Sequence, residues 1–145
     1  MKEDLLDNIP EIQAYTTRTI VVSSFFGGIP AGCFMIYQNF KSFGDHKKAR
    51  ATILIAILAM IGIMATGFIP VLEKIPGIFF TILATIMISL LTKKYQGKLI
   101  ETHIQQEGKI YSGGRAVLIC IISVLIMVAI IFAAFLLQDA AINDL

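Results

Sequence analysis

The stretch 116–138, AVLICIISVLIMVAIIFAAFLLQ, contains no Asp, Glu, Lys or Arg, and it decides which class of fold the chain adopts. A helix rises about 1.5 Å per residue, so roughly 20 residues cross a hydrocarbon core of about 30 Å. This stretch has 23 residues and is therefore long enough to cross a membrane. Because lipid offers backbone groups no hydrogen-bond partners, we expect the crossing segment to be a helix.

Three further stretches of the chain are free of charged residues, namely 19–40, 51–72 and 75–92. Only 15% of the 145 residues are charged, whereas a soluble domain has about 25%. A soluble chain of this length has too little interior to bury four helices that are apolar on all sides. The composition therefore argues against a soluble globule, a disordered chain and a nucleic-acid-binding protein, and it favours a lipid bilayer as the surroundings.

The predicted fold is all-α, with four transmembrane helices arranged as two hairpins over residues 19–138. An acidic polar tail at 1–18 precedes this membrane domain, and a short tail at 139–145 follows it. The connection 93–115 joins the third and fourth spans and is the most informative polar segment.

Part of the 93–115 connection has the pattern of an amphipathic helix. Four of its side chains fall on one helical face: Leu99, Ile100, His103 and Ile104. This pattern predicts a short amphipathic cytoplasmic helix between spans three and four. The third span either runs on into the cytoplasm or bends at Gly97 into a helix that lies on the membrane.

Lysine and arginine are distributed unevenly between the predicted sides of the membrane. The connections 41–50 and 93–115 hold nine of the twelve Lys and Arg residues. Because basic loops stay in the cytoplasm, this asymmetry predicts a multi-pass protein of a bacterial inner membrane with both connections inside. Both termini and the turn at 73–74 are then predicted to lie outside, although Arg18 beside the first span opposes this orientation.

Small and hydroxyl side chains recur four residues apart in the predicted spans, and such positions let membrane helices approach closely. We predict helix-packing ridges, within the chain or between chains, at Gly28, Gly32, Gly62, Thr66, Thr81, Thr85, Ser89, Ala129 and Ala133. Pro30 has no amide hydrogen and clashes with the preceding turn, so it is predicted to kink the first helix.

The predicted spans contain no Asp, Glu, Lys, Arg or His, which argues against proton relays, ion-coupled transporters and voltage sensors. His103 has Glu107 one helical turn away, but zinc usually takes three or four protein ligands. We therefore expect no metal and no cofactor. An enzyme would need its catalytic site in the 93–115 connection.

Basic residues at the cytoplasmic ends of the spans are candidates for binding anionic lipid head groups, each contributing about 1 kcal/mol. These candidates are Lys47, Lys48, Arg50, Lys93 and Lys94. The alternative is that they only set the topology, which any multi-pass protein requires.

Two runs of residues resemble a pattern in a group of small uncharacterised bacterial multi-spanning membrane proteins. The first run is FFGGIPAG at 25–32, followed by NF at 39–40 and by Gly44. The second run joins Gln96, Ile100, His103, Gly108, Ser112 and Arg115. The chain departs from the pattern at 107–108 and at 114, where the group tends to have a glycine pair and an aromatic residue.

The resemblance implies a polytopic membrane protein and implies no activity. It marks Asn39, His103 and Arg115 as candidate functional residues at or near the cytoplasmic interface. These are the residues to mutate first.

Three classes of function are open on the sequence alone. The first, which we prefer, is a non-enzymatic scaffold or accessory subunit of a larger membrane complex that packs through its small-residue faces. The second is a homo-oligomeric pore or small transporter, because four helices alone enclose little space. The third is a lipid-binding protein or membrane-surface enzyme that uses the 93–115 connection.

Overall fold

The computed structural model describes residues 12–66 and 74–143, and most of them are helical. The elements in chain order are β1 (Gln13–Ala14), α1 (Thr17–Ser42), α2 (His46–Thr66), α3 (Gly77–Gln105), β2 (Lys109–Ile110) and α4 (Gly113–Asn143). All four helices are long and apolar enough to cross a membrane. This confirms the predicted all-α fold with four long apolar helical segments, as expected for a multi-pass membrane protein.

The helix bounds differ from the predicted spans mainly at the connections. α1 and α4 contain the predicted spans 19–40 and 116–138, whereas the end of the second predicted span, 67–72, lies outside the described residues. α3 runs unbroken from Gly77 to Gln105. The amphipathic segment is therefore the end of α3, which continues past the predicted span and does not turn onto the membrane as a separate helix.

Helix α1 doubles back on itself at Gly28, where the backbone leaves helical geometry with φ 70° and ψ −167°. A straight helix of its 26 residues would hold the two ends about 39 Å apart. Instead, the Asn39 side chain bonds both backbone groups of Tyr15, at 2.7 Å from the N–H nitrogen and 2.8 Å from the carbonyl oxygen. α1 is thus a helical hairpin, with a first arm at 17–27 and a second arm at 29–42.

The local sequence explains this reversal. Glycine adopts positive φ without steric penalty, and Gly28 stands at the bend. Pro30 lacks an N–H, which the first turn of a helix leaves unpaired in any case, so it suits the start of the second arm. Gly32 faces Ser24 of the first arm so closely that a Cβ atom would collide with the Ser24 hydroxyl. The kink predicted at Pro30 is therefore a complete reversal of the chain two residues earlier.

The folded α1 changes the predicted topology. β1 pairs in parallel with β2, with Gln13 opposite Lys109. The segment before α1 therefore lies at the same end of the molecule as both basic connections, and α4 runs 31 residues, about 46 Å, from there to the other end. The structure thus places the two ends of the membrane domain at opposite ends of the molecule, whereas the sequence predicts them on one side. Hydropathy does not distinguish an apolar hairpin from an apolar crossing, and the side of the membrane that each end faces stays a prediction.

The α1 hairpin forms the core of the molecule. Half of the residues in its 18-residue apolar segment are buried, compared with 6%, 11% and 17% for the corresponding segments of α2, α3 and α4. These three helices pack against α1 and make few contacts with one another. The approach of α4 depends on Gly27, since a Cβ atom there would lie 3.0 Å from the Cys120 Cα. The other helices thus surround the hairpin and turn their outer sides toward lipid.

Some of the predicted small-residue ridges pack inside the chain. Gly32 brings the second arm of α1 against α3, where a Cβ atom would lie 3.0 Å from the Ile88 side chain. Thr81, Thr85 and Ser89 are half-buried on α3. The Thr85 hydroxyl donates to the Thr81 carbonyl at 2.8 Å, so it is satisfied by its own helix.

Other predicted packing residues are not packed within the chain. Gly62 on α2 is exposed and has no neighbouring helix within 4 Å of its Cβ position. Ala129 and Ala133 on α4 are exposed as well. The structure therefore does not pack these three residues against another helix of the chain, and contact between chains stays a prediction. Gly28 forms the turn, and the side chain of Thr66 lies outside the described part of the chain.

Candidate functional site

A buried polar network closes the open end of the α1 hairpin. Besides its two bonds to Tyr15, the Asn39 amide nitrogen donates to the Gln96 Oε1 atom at 3.3 Å. The Gln96 amide nitrogen donates in turn to the Ile36 carbonyl at 2.8 Å. Asn39 and Gln96 are both fully buried, so each bond replaces water that these amides would otherwise bind. We call these four residues the polar clasp, and the end of the molecule that carries them the clasped end.

An aromatic stack joins the clasp to the start of α4. The Tyr15 and Tyr111 rings lie 4.3 Å apart between centroids and are tilted by 31°. The Arg115 guanidinium lies 4.2 Å from the Tyr111 centroid, within the range of a cation–π contact. The Tyr111 N–H also donates to the Ala14 carbonyl at 3.1 Å. Arg115 is therefore held over a ring that the segment before α1 keeps in position.

The hydroxyl of Tyr15 has unusual surroundings. It is completely buried and has no hydrogen-bond partner among the residues that the structure describes. Burial raises the pKa of Tyr15 above its ordinary value, and the nearby positive charge of Arg115 opposes that rise. The phenol is therefore neutral at physiological pH.

His103 holds a different part of the clasped end. Its Nε2 atom lies 2.9 Å from the Lys109 carbonyl oxygen, and its ring meets the Phe43 ring edge-on at 5.7 Å between centroids. Gly108 lies against this ring so closely that a Cβ atom there would collide with it. His103 thus links the end of α3 to β2 and to the turn after α1.

The three sequence candidates therefore lie at one end of the molecule and have separate contacts. Asn39 closes the clasp, His103 positions β2, and Arg115 covers the aromatic stack. Of these side chains, Arg115 is the exposed one, while Asn39 is fully buried. Their geometry makes Asn39 and His103 positioning residues and leaves Arg115 free to meet a ligand.

The predicted lipid-binding residues also belong to the clasped end. All five are exposed: Lys47, Lys48 and Arg50 at the start of α2, and Lys93 and Lys94 in the second half of α3. Lys48 forms an ion pair with Asp45 at 2.7 Å, and the hydrogen bond from Lys48 lowers the pKa of the Asp45 carboxyl. Lipid binding by these five residues stays a prediction.

Sequence reasoning missed Tyr15, Gln96 and Tyr111 as members of the site. Tyr15 and Tyr111 lie in polar segments whose hydropathy carries no sign of stacking. Gln96 belongs to the second run of the bacterial resemblance, but nothing in the sequence indicates that it bonds Asn39, 57 residues earlier. In the described ranges 12–66 and 74–143, no group of three or more His, Cys, Asp or Glu side chains could hold a metal ion.

Comparisons with family models, curated proteins and solved structures found no match for the chain. The class of protein is therefore defined by its own geometry. It is an all-α membrane protein in which three long apolar helices surround a folded-back helical hairpin. The resemblance to the small bacterial proteins stays a prediction.

Proposed function

We propose that this protein is a non-enzymatic scaffold or accessory subunit of a larger complex in a bacterial inner membrane. The observation that carries the proposal is the outward position of Gly62, Ala129 and Ala133, three small residues on exposed faces of α2 and α4. In lipid, close packing against small residues drives the association of helices. Helices of another chain are therefore the partners that these faces suit.

The central place of α1 supports this proposal. α2, α3 and α4 are each held by the hairpin and make few contacts with one another. Their outer faces are therefore not needed for the fold and are available to other chains. A subunit built in this way presents several helix faces at a spacing that the hairpin maintains.

The charge distribution supports a cytoplasmic position for the clasped end. Ten of the eleven Lys and Arg residues in the described ranges lie at that end, and Lys74 lies at the other. Arg18 lies at the clasped end with the two basic connections, because α1 returns to the end from which it starts. Since basic segments remain in the cytoplasm, the outer end of α4 is expected on the opposite side of the inner membrane.

Purification from the native membrane in mild detergent tests the proposal. We expect a partner protein to co-purify with the wild-type chain and to be identified by mass spectrometry. The variant A129L/A133L fills the exposed face of α4 and is expected to lose this partner, because the added side chains hold a second helix away.

The matched control is V124F/V128F, which adds bulk at the same spacing on a neighbouring exposed face of α4. This control is expected to keep the partner and to unfold at the same temperature as A129L/A133L. Retention of the partner by both variants would contradict the proposal. A homo-oligomer of wild-type chains without a partner would favour the pore, and ion flux after reconstitution would then be measured.

A further inference from the structure

A polar recess opens at the clasped end between three parts of the chain that are distant in sequence. It is lined by Ile12, Gln13, Gln38, Lys41, Ser42, Tyr111 and Arg115. Among the described residues, the lining contains two cations, two amides and two hydroxyls, and no carboxylate. Such a set of groups suits a small anion that accepts several hydrogen bonds.

The cation of Arg115 is oriented before any ligand arrives. Its guanidinium stacks on Tyr111 at 4.2 Å, and Tyr111 is fixed by the Tyr15 ring and by its own N–H bond to Ala14. A guanidinium carries five N–H donors, so its contact with the Tyr111 ring leaves donors for a planar or tetrahedral oxyanion. This orientation reduces the entropy that binding would otherwise cost.

Neither cation of the recess forms an ion pair with another residue that the structure describes. Within residues 12–66 and 74–143, the ion pair that the structure contains joins Lys48 to Asp45, at a different position. Lys41 and Arg115 are both exposed, and they face a common space from the end of α1 and the start of α4. Their joint positive charge therefore has no carboxylate partner in the described part of the chain.

We propose that the recess between Lys41 and Arg115 is a binding site for a phosphate group. Gln13, Gln38 and Ser42 would supply neutral hydrogen bonds, and the two cations would supply the charge. Because the recess lies where α1 ends and α4 begins, the phosphate can belong to an anionic lipid head group or to a soluble phosphate compound. This proposal does not depend on the scaffold function.

The test compares K41Q/R115Q with R18Q/K98Q in the purified full chain in an uncharged detergent. The second variant removes the same charge from exposed positions at the same end of the molecule but leaves the recess intact. Binding of phosphatidylglycerol is measured by titration in native mass spectrometry, with phosphatidylcholine of the same acyl chains as reference. We expect K41Q/R115Q to bind phosphatidylglycerol about 30-fold more weakly than wild type, and R18Q/K98Q to bind it within about twofold.

A second experiment identifies the source of the phosphate. Inorganic phosphate is added without lipid, and the unfolding temperature of each variant is followed. A rise for wild type and R18Q/K98Q, absent in K41Q/R115Q, would assign the site to soluble phosphate compounds. Selective binding of phosphatidylglycerol without such a rise would assign it to lipid head groups. The proposal would be overturned if both double variants weakened phosphatidylglycerol binding equally. It would also be overturned if wild type bound neither phosphatidylglycerol nor inorganic phosphate.

The variant R115K separates binding from folding. Lysine keeps the charge but loses the stacked planar fork, so we expect an affinity between those of wild type and K41Q/R115Q. The single variant K41Q removes an exposed side chain outside the stack and should unfold like wild type. A loss of phosphate binding in K41Q at an unchanged unfolding temperature would support a direct contact.

Discussion

Gly28 carries the reversal of α1 because its backbone occupies a region that is almost restricted to glycine. Its φ of 70° and ψ of −167° put a Cβ atom into conflict with the neighbouring peptide groups. At the scale of single residues, the structure therefore depends on a few side chains with local roles: this glycine, the two amides of the clasp and the stacked tyrosines. Each role can be tested by one substitution with a matched control.

Replacement of Gly28 by alanine is expected to lower the free energy of unfolding by about 1–3 kcal/mol, because alanine is strained in this conformation. Gly62→Ala is the control, since Gly62 is helical, exposed and has room for a Cβ atom. Alanine favours a helix over glycine, so Gly62→Ala is expected to be neutral or slightly stabilising. Thermal unfolding in detergent measures both, and an equal effect of the two substitutions would refute the hairpin turn.

Tyr15→Phe removes a buried hydroxyl that has no hydrogen-bond partner among the described residues. We expect the variant to be as stable as wild type or more stable by about 1 kcal/mol, because the aromatic stack is kept. Tyr37→Phe, at a half-buried position on the second arm, serves as control. A loss of stability of more than about 1 kcal/mol in Tyr15→Phe would show that the hydroxyl has a partner.

The same residue predicts a dependence on pH. The pKa of Tyr15 is raised in the folded protein, so the folded state holds this proton more tightly than the unfolded state. The stability that this proton contributes to the folded state is complete below the ordinary tyrosine pKa of 10.0. It is lost as the pH rises through the raised pKa of the folded state. Wild type should therefore lose stability above pH 10 more steeply than Tyr15→Phe, as followed by the unfolding temperature.

At the scale of elements, α3 shows how much the sequence could predict. Its buried positions are Ile88, Thr92, Gln96 and Ile100, which recur every four residues and form one stripe. This periodicity predicts a face that packs, but it does not predict that the face meets a hairpin. The Gln96 amide is hydrogen-bonded to Asn39 and Ile36. No rule of sequence spacing predicts that these residues meet. Contacts over such separations follow from the fold and not from local pattern.

The clasp is expected to couple α1 to α3 energetically. Asn39→Ala and Gln96→Ala should each lower the free energy of unfolding by about 2–3 kcal/mol, since each leaves buried groups without partners. The double variant should cost less than the sum of the two by about 1 kcal/mol or more, because both remove the same network. Thr85→Ala with Asn39→Ala is the control pair and should be additive. Additive costs for Asn39 and Gln96 would mean that the clasp does not join the two helices.

At the scale of the whole molecule, the apolar stretches predicted the all-α class of fold and the four apolar helical segments correctly. They did not predict the reversal within α1, because hydropathy records length and composition, not direction. Two signals pointed to the reversal: Gly28 and Pro30 lie within the first stretch, and Arg18 opposed the predicted orientation. The exposed positions of Gly62, Ala129 and Ala133 could not be predicted, because the same spacing serves contacts within and between chains.

Cysteine labelling distinguishes the two topologies in intact cells. In a C33S/C120S background, we expect Q13C and K47C to be labelled from one side and K74C from the other. A first helix that crossed the membrane would instead put Q13C on the side of K74C. That result would contradict the folded-back α1, whereas labelling of Q13C with K47C would support it.

The position of the hairpin has a consequence for how the protein is made. α1 is synthesised before α3 and α4. In the folded protein, however, the Gln96 amide of α3 donates to the Ile36 carbonyl of its second arm, and the Cys120 thiol of α4 donates to the Ser23 carbonyl of its first arm. A segment that turns back cannot anchor itself as a crossing helix does. During translation it must wait at the membrane surface, or in a temporary crossing, until α3 and α4 have been inserted. The insertion of α4 therefore completes the burial of α1.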